Sequence, residues 1–106
     1  MIFNKVFVAG HNGMVGSSLV RKLKKEKNKP EIIVVDRKKL NLINQNETLE
    51  FFKKNKHDLL IIAAAKVGGI YANNQYPADF IYENLMIETN LIHSAYLTGV
   101  KQILFL

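Results

Sequence analysis

The sequence has no cysteine, which excludes disulfides and thiolate metal sites. No apolar stretch approaches the roughly 20 residues needed to span a bilayer. The opening MIFNKVFVAG lacks the charged start and long apolar centre of a signal peptide. Repeats and low-complexity segments are missing too. Arginine is scarce, with two residues against thirteen lysines. These absences set the expectation of a soluble, cytoplasmic protein that does not work at a membrane.

What is present is a chain of 106 residues, 48% hydrophobic, with a net charge of +6. That length suits one small domain, and that composition can bury a core. Basic charge can signal nucleic acid. Here four lysines, Lys24, Lys25, Lys27 and Lys29, close a predicted helix, where cations complement the negative end of the dipole. No aromatics interleave with them, which argues against single-strand binding. No nucleic-acid partner is expected. His11, His57 and His93 form no metal-ligand spacing.

Apolar runs and helical periodicities alternate along the chain. KVFVA (5–9) reads as a buried strand. Met14, Val15, Leu19, Val20 and Leu23 recur at helical spacing, so a helix is expected from Gly13 to Lys25, broken by Asn28 and Pro30. EIIVV (31–35) reads as a second buried strand, and residues 37–44 as a polar connection. A second helix is expected over Thr48–Asn55, with Leu49, Phe52 and Phe51 inward. LLIIAAA (59–65) is a third buried strand, followed by a loop over 68–77. A long helix over Ala78–Thr98 offers Phe80, Ile81, Leu85, Ile87, Leu91, Ile92 and Ala95 as core candidates. Ile103–Leu106 is the fourth strand. Continuous apolar strands alternating with helices mean an α/β protein with a parallel, doubly wound sheet of about four strands. The strand order expected is 3-2-1-4, with the fourth strand beside the first and an open, apolar edge that invites self-association.

The segment VAGHNGMVG places Gly10, Gly13 and Gly16 three residues apart between a strand and a helix. In a dinucleotide site the first glycine makes the tight turn, the second admits a pyrophosphate and the third packs helix on strand. Free N–H groups at the helix start then face the phosphates. Asp36 ends the second strand 20 residues after Gly16, where a ribose-binding acid belongs. Asp36 and Arg37 pull in opposite directions. An acid there holds the ribose hydroxyls of NAD; an arginine pairs with the 2′-phosphate of NADP. These residues alone leave the choice open.

Residues 63–90, AAAKVGGIYANNQYPADFIYENLMIETN, together with VAGHNGMVGS and LNL (40–42), resemble the GDP-L-fucose synthase family of extended short-chain dehydrogenases/reductases. The resemblance covers the whole chain and implies the first part of a Rossmann-type sheet. It implies NADPH-dependent epimerisation at C3 and C5 and reduction at C4 of GDP-4-keto-6-deoxy-D-mannose. It also implies cofactor contacts for Gly10, His11, Asn12, Gly13, Met14, Val15 and Gly16 in the phosphate loop. Asp36 and Arg37 would lie at the ribose, and Leu40, Asn41 and Leu42 along the adenine edge. Ala63, Ala64, Ala65 and Lys66 would end the third strand beside the cofactor, with Asn84 nearby on the long helix. NADP(H) is favoured on this ground, with NAD(H) as the other candidate. Asn12 departs from the arginine that many relatives place in the loop.

Two elements of the family pattern are not found in the 106 residues: a GSSCIYP-like segment and a YxxxK pair. Tyr71, Tyr76 and Tyr82 do not stand four residues before a lysine. The expectation is therefore a partial dinucleotide-binding domain over 1–106 that holds no catalytic residue, lacks the substrate domain and is inactive alone. A stand-alone nucleotide-binding module, or part of another nucleotide-sugar epimerase/dehydratase, is the alternative.

Overall fold

A computed structural model describes residues 3–64 and 77–106. Four strands, β1 (Lys5–Ala9), β2 (Glu31–Ile33), β3 (Leu59–Ile62) and β4 (Gln102–Phe105), form one sheet. Three helices connect them: α1 (Met14–Lys25), α2 (Gln45–Lys54) and α3 (Pro77–Thr98). All pairings are parallel, in the order β2-β1-β3-β4.

Alternate residues of β1 face opposite sides and build two cores. Val6, Val8 and Ile61 pack under Leu19, Val20 and Leu23 of α1. On the other face, Phe7, Ala9, Leu60 and Ile62 pack with Phe52 of α2 and Ile87, Leu91 and Ala95 of α3. The sheet is thus covered on both faces, which is why its central strands read as continuous apolar runs.

Local chemistry sets the helix ends. Asn44 caps α2, its side chain accepting from the Glu47 N–H at 3.0 Å. The helix therefore starts at Gln45, three residues before the start read from periodicity. Pro77 opens α3, where its missing N–H costs nothing. Gly99, at φ +80°, ends it: Val100 N donates to Ala95 O at 2.9 Å and Gly99 N to Tyr96 O at 3.4 Å, a Schellman pattern.

Four expectations need correction. β2 is a three-residue edge strand, exposed or half-buried, rather than a five-residue buried one. β4 pairs with β3 and not with β1, so the order 3-2-1-4 does not hold. Its cause is the second crossover, which carries the chain back across β1 and seats β3 on the side away from β2. Ile81, Leu85 and Ile92 are exposed and outside the core. α3 is apolar around most of its circumference, but only the stripe holding Phe80, Ile87, Leu91 and Ala95 is buried. Met14 and Val15, in the first turn of α1, are exposed as well. The expected loop over 68–77 lies, except for Pro77, outside the described residues.

Candidate functional site

The winding reverses between β1 and β3. In open α/β sheets that reversal leaves a crevice beyond the carboxyl ends of the strands. A cleft of about 620 Å³ lies there, lined by Ala9–Gly13 on one side, Val35–Lys38 on another, and Leu40, Leu42, Ala63 and Ala64. A second hollow of about 280 Å³ adjoins it, sharing Arg37, Leu40, Leu42 and Ala64 and adding Glu83 and Ile87.

The glycine loop is shaped by close approach. Gly10 has φ +96°, and a Cβ there would sit 2.6 Å from the Ala63 carbonyl carbon and the Ala64 nitrogen. Gly16 is buried, and a Cβ on it would overlap the Gly10 carbonyl. Both glycines are required for the loop to fold between β1, β3 and α1. Gly13 differs: its nearest neighbour, Gly10 O, would lie an ordinary 3.6 Å from a Cβ. Packing therefore does not require glycine at position 13. Gly13 N donates to Gly10 O at 3.2 Å, and Ser17 N to Gly13 O at 2.9 Å, the first bond of α1. No side chain caps this helix and its first turn has no acid. An uncapped helix start opening on a cleft has the electrostatics of an anion site.

The β2–α2 connection makes the facing wall. Lys39 N and Leu40 N both donate to Asp36 O, at 2.9 and 3.0 Å. Asn41 folds the next turn, its Oδ1 accepting from Ile43 N at 3.1 Å. Leu40 is buried, and Leu42 and Ile43 pack against the core. Asn90 of α3 fastens this wall from below, donating to Leu42 O at 2.8 Å and Ile43 O at 3.0 Å. Across the cleft, Asp36 Oδ1 lies 3.4 Å from His11 Nε2 and 3.4 Å from Asn12 Nδ2.

The structure brings together Gly10, His11, Asn12, Gly13, Asp36, Arg37, Leu40, Leu42, Ala63 and Ala64. Asn41 lines the adjoining hollow. Met14 and Val15 start the helix just beyond the cleft, and Gly16 lies beneath it. Asn84 is half-buried on α3 and lines neither cavity, although its neighbour Glu83 lines the second. Ala65 and Lys66, like Tyr71 and Tyr76, lie outside the described residues. Sequence reasoning missed Lys38, which lines the cleft, and Asn90. The signal for Asn90 was a polar residue inside the apolar stripe of α3, between Ile87 and Leu91.

The described titratable groups with shifted pKa values, His57 and Asp58, lie away from the cleft. His57 is buried against Phe7 and Phe52, with ring centroids at 5.4 and 4.9 Å. Its Nδ1–H donates to Asn55 O at 2.8 Å. Burial holds its pKa below the ordinary 6.5, against the opposing pull of the Asn55 carbonyl and Asp58. Asp58 accepts from the N–H groups of Asn4 and Lys5, both at 2.9 Å. Desolvation works to raise its pKa, but those bonds outweigh it and leave it below 3.8. Both residues sit at the amino ends of the strands, opposite the cleft. Among the described residues, no group of three or more acids and histidines is placed to hold a metal ion. No described helix is long and apolar enough to cross a membrane.

A model of the NAD dependent epimerase/dehydratase family matches residues 6–106. The chain belongs to that family. Within this epimerase/dehydratase family it is similar to GDP-L-fucose synthase 1 of Arabidopsis thaliana, at 54% identity over 96% of this chain and 31% of the relative. The GDP-L-fucose synthase of Escherichia coli strain K12 is 49% identical over 96% of this chain and 32% of the relative. Among solved structures, MlghC, a GDP-mannoheptose C4 reductase from Campylobacter jejuni with NADP bound, superposes with a TM-score of 0.89 at 39% identity. That match covers 96% of this chain and 32% of MlghC. The chain thus spans about a third of the length of the epimerase/dehydratase relatives it matches.

Proposed function

We propose that residues 1–106 form part of a dinucleotide-binding domain and hold NADP(H) for a GDP-sugar epimerase-reductase of the GDP-L-fucose synthase type. The observation that carries this reading is the cleft at the winding reversal, with an uncapped helix start on one wall and Arg37 on the other. The residues suit the cofactor. Gly13 leaves the space a diphosphate needs, and the N–H groups of Met14, Val15 and Gly16 point its way. Arg37 offers a planar donor fork for the 2′-phosphate. Leu40 and Leu42 give the adenine an apolar surface, and Asn41 orders the turn between them. Ala63 and Ala64, too small to obstruct, border the ribose and diphosphate. Asn84 is assigned to the same neighbourhood.

When bound, the nicotinamide supplies the hydride for reduction of a sugar ketone. The described residues bind and orient; none is assigned the chemical step. The substrate class is a nucleotide sugar carrying a keto group, and the setting is cytoplasmic. NADP is favoured over NAD by Arg37 and by relatives such as MlghC. Self-association belongs to the same reading, because β4 leaves Ile103, Leu104, Phe105 and Leu106 exposed at a sheet edge.

The reading is tested by following backbone amide resonances during NADPH addition. Shifts should concentrate at residues 10–16 and 36–42. Shifts confined to other segments, or none in a folded protein, would overturn it.

A further inference from the structure

The acid at the end of β2 is not placed in isolation. Its Oδ1 lies 3.4 Å from His11 Nε2 and 3.4 Å from Asn12 Nδ2, so two residues of the glycine loop converge on one carboxylate oxygen. His11 is mostly shielded, with 19% of its side chain exposed, whereas Asp36 is 58% exposed. All three residues line the cleft beside Arg37 and Lys38.

We propose that His11 sets the choice between NADPH and NADH through Asp36, resting on the reading of this cleft as a dinucleotide site. The acid and the arginine are adjacent in sequence and favour different cofactors. A free carboxylate holds ribose hydroxyls and repels a 2′-phosphate. A carboxylate paired with an imidazolium is neutralised and no longer opposes the attraction of a phosphate to Arg37. A neutral imidazole leaves the charge of Asp36 in place. His11 is thus a specificity-determining residue, and Asn12 keeps the carboxylate on the loop side in either state. The charged groups facing this pair among the described residues are Arg37 and Lys38 in the cleft and Glu83 in the adjoining hollow. Imidazole is the side chain that can supply either charge state near neutral pH.

The test is the ratio of NADPH to NADH affinity, measured by equilibrium fluorescence titration between pH 5.5 and 8. It is made on the wild type, His11→Gln and Asp36→Asn. The 2′-phosphate also titrates near pH 6 and loses charge as pH falls. That effect is common to all three proteins and cancels when they are compared. Relative to His11→Gln, the wild type should prefer NADPH by about fivefold more at pH 5.5 than at pH 8, the effect of one screened charge at this range. Asp36→Asn should prefer NADPH at every pH and lose the excess pH dependence. A wild-type ratio that tracks His11→Gln across the range would overturn the proposal while leaving the dinucleotide site intact. Binding of neither dinucleotide by folded protein would overturn both.

Discussion

Asn90 donates through Nδ2 to Leu42 O at 2.8 Å, joining the middle of α3 to the wall of the cleft across 48 residues of sequence. A second bond to Ile43 O at 3.0 Å makes the side chain a two-pronged fastener. Both carbonyls belong to a segment with no sheet or helix ladder of its own.

Asn90→Leu therefore removes both bonds: Ile43 O loses its Asn90 donor, and Leu42 O keeps only the longer 3.4 Å bond from Thr48 Oγ1. Denaturant unfolding should show a loss of about 1–3 kcal/mol, the cost of one unpaired group and one weakened one. Asn90→Asp, which accepts where Asn90 donates, should be at least as damaging.

The three glycines should separate folding from binding. Gly10→Ala and Gly16→Ala force a Cβ into backbone, and each should lower stability by at least about 2 kcal/mol. Gly13→Val has room for its Cβ within the fold but fills the mouth of the cleft. It should melt within a few degrees of the wild type and bind NADPH much more weakly, by calorimetry.

How far these relationships could be read from the sequence follows from their range. β1 is found with the bounds read from KVFVA, and the turn at Gly10 and the packing of Gly16 against it follow from the glycine spacing. These depend on neighbours close in the chain, whereas the approach of Gly10 to Ala63 and Ala64 does not. Strand order does not. The apolar run 59–65 looks the same whether it pairs with β1 or elsewhere, so the sequence pattern does not place β3 or β4 in the sheet. α3 shows the same limit. Ile81 and Leu91 are equally apolar, and only the packed sheet distinguishes the exposed side from the buried one. The contact between His11 and Asp36 spans 25 residues and appears only once β1 and β2 lie side by side.

Stability should fall as the solution is acidified, in two stages. His57 has a folded pKa below its ordinary 6.5, so the unfolded chain takes up its proton first. Its contribution is full above about pH 6.5 and is lost as pH falls toward the folded value. Asp58 behaves alike at lower pH: its contribution is full above 3.8 and is lost below that. His57→Phe, which keeps an aromatic against Phe7 and Phe52, should flatten the first stage only. Melting curves at intervals from pH 8 to 3 would show this.

The self-association proposed for residues 1–106 should respond to charge on β4. Phe105 is half-exposed on that strand. Phe105→Lys should shift sedimentation profiles toward the monomer, since an edge lysine opposes strand addition. Unchanged association, or none in the wild type, would contradict the proposed edge contact.

The most direct test of the cofactor reading is a calorimetric titration of the folded protein with NADPH, in the wild type and in Arg37→Ala. The expected result is one saturable site per chain, weakened by about tenfold or more when the charged donor fork is lost. A cooperatively folded protein that takes up no NADPH, or that binds it equally well without Arg37, would contradict the account.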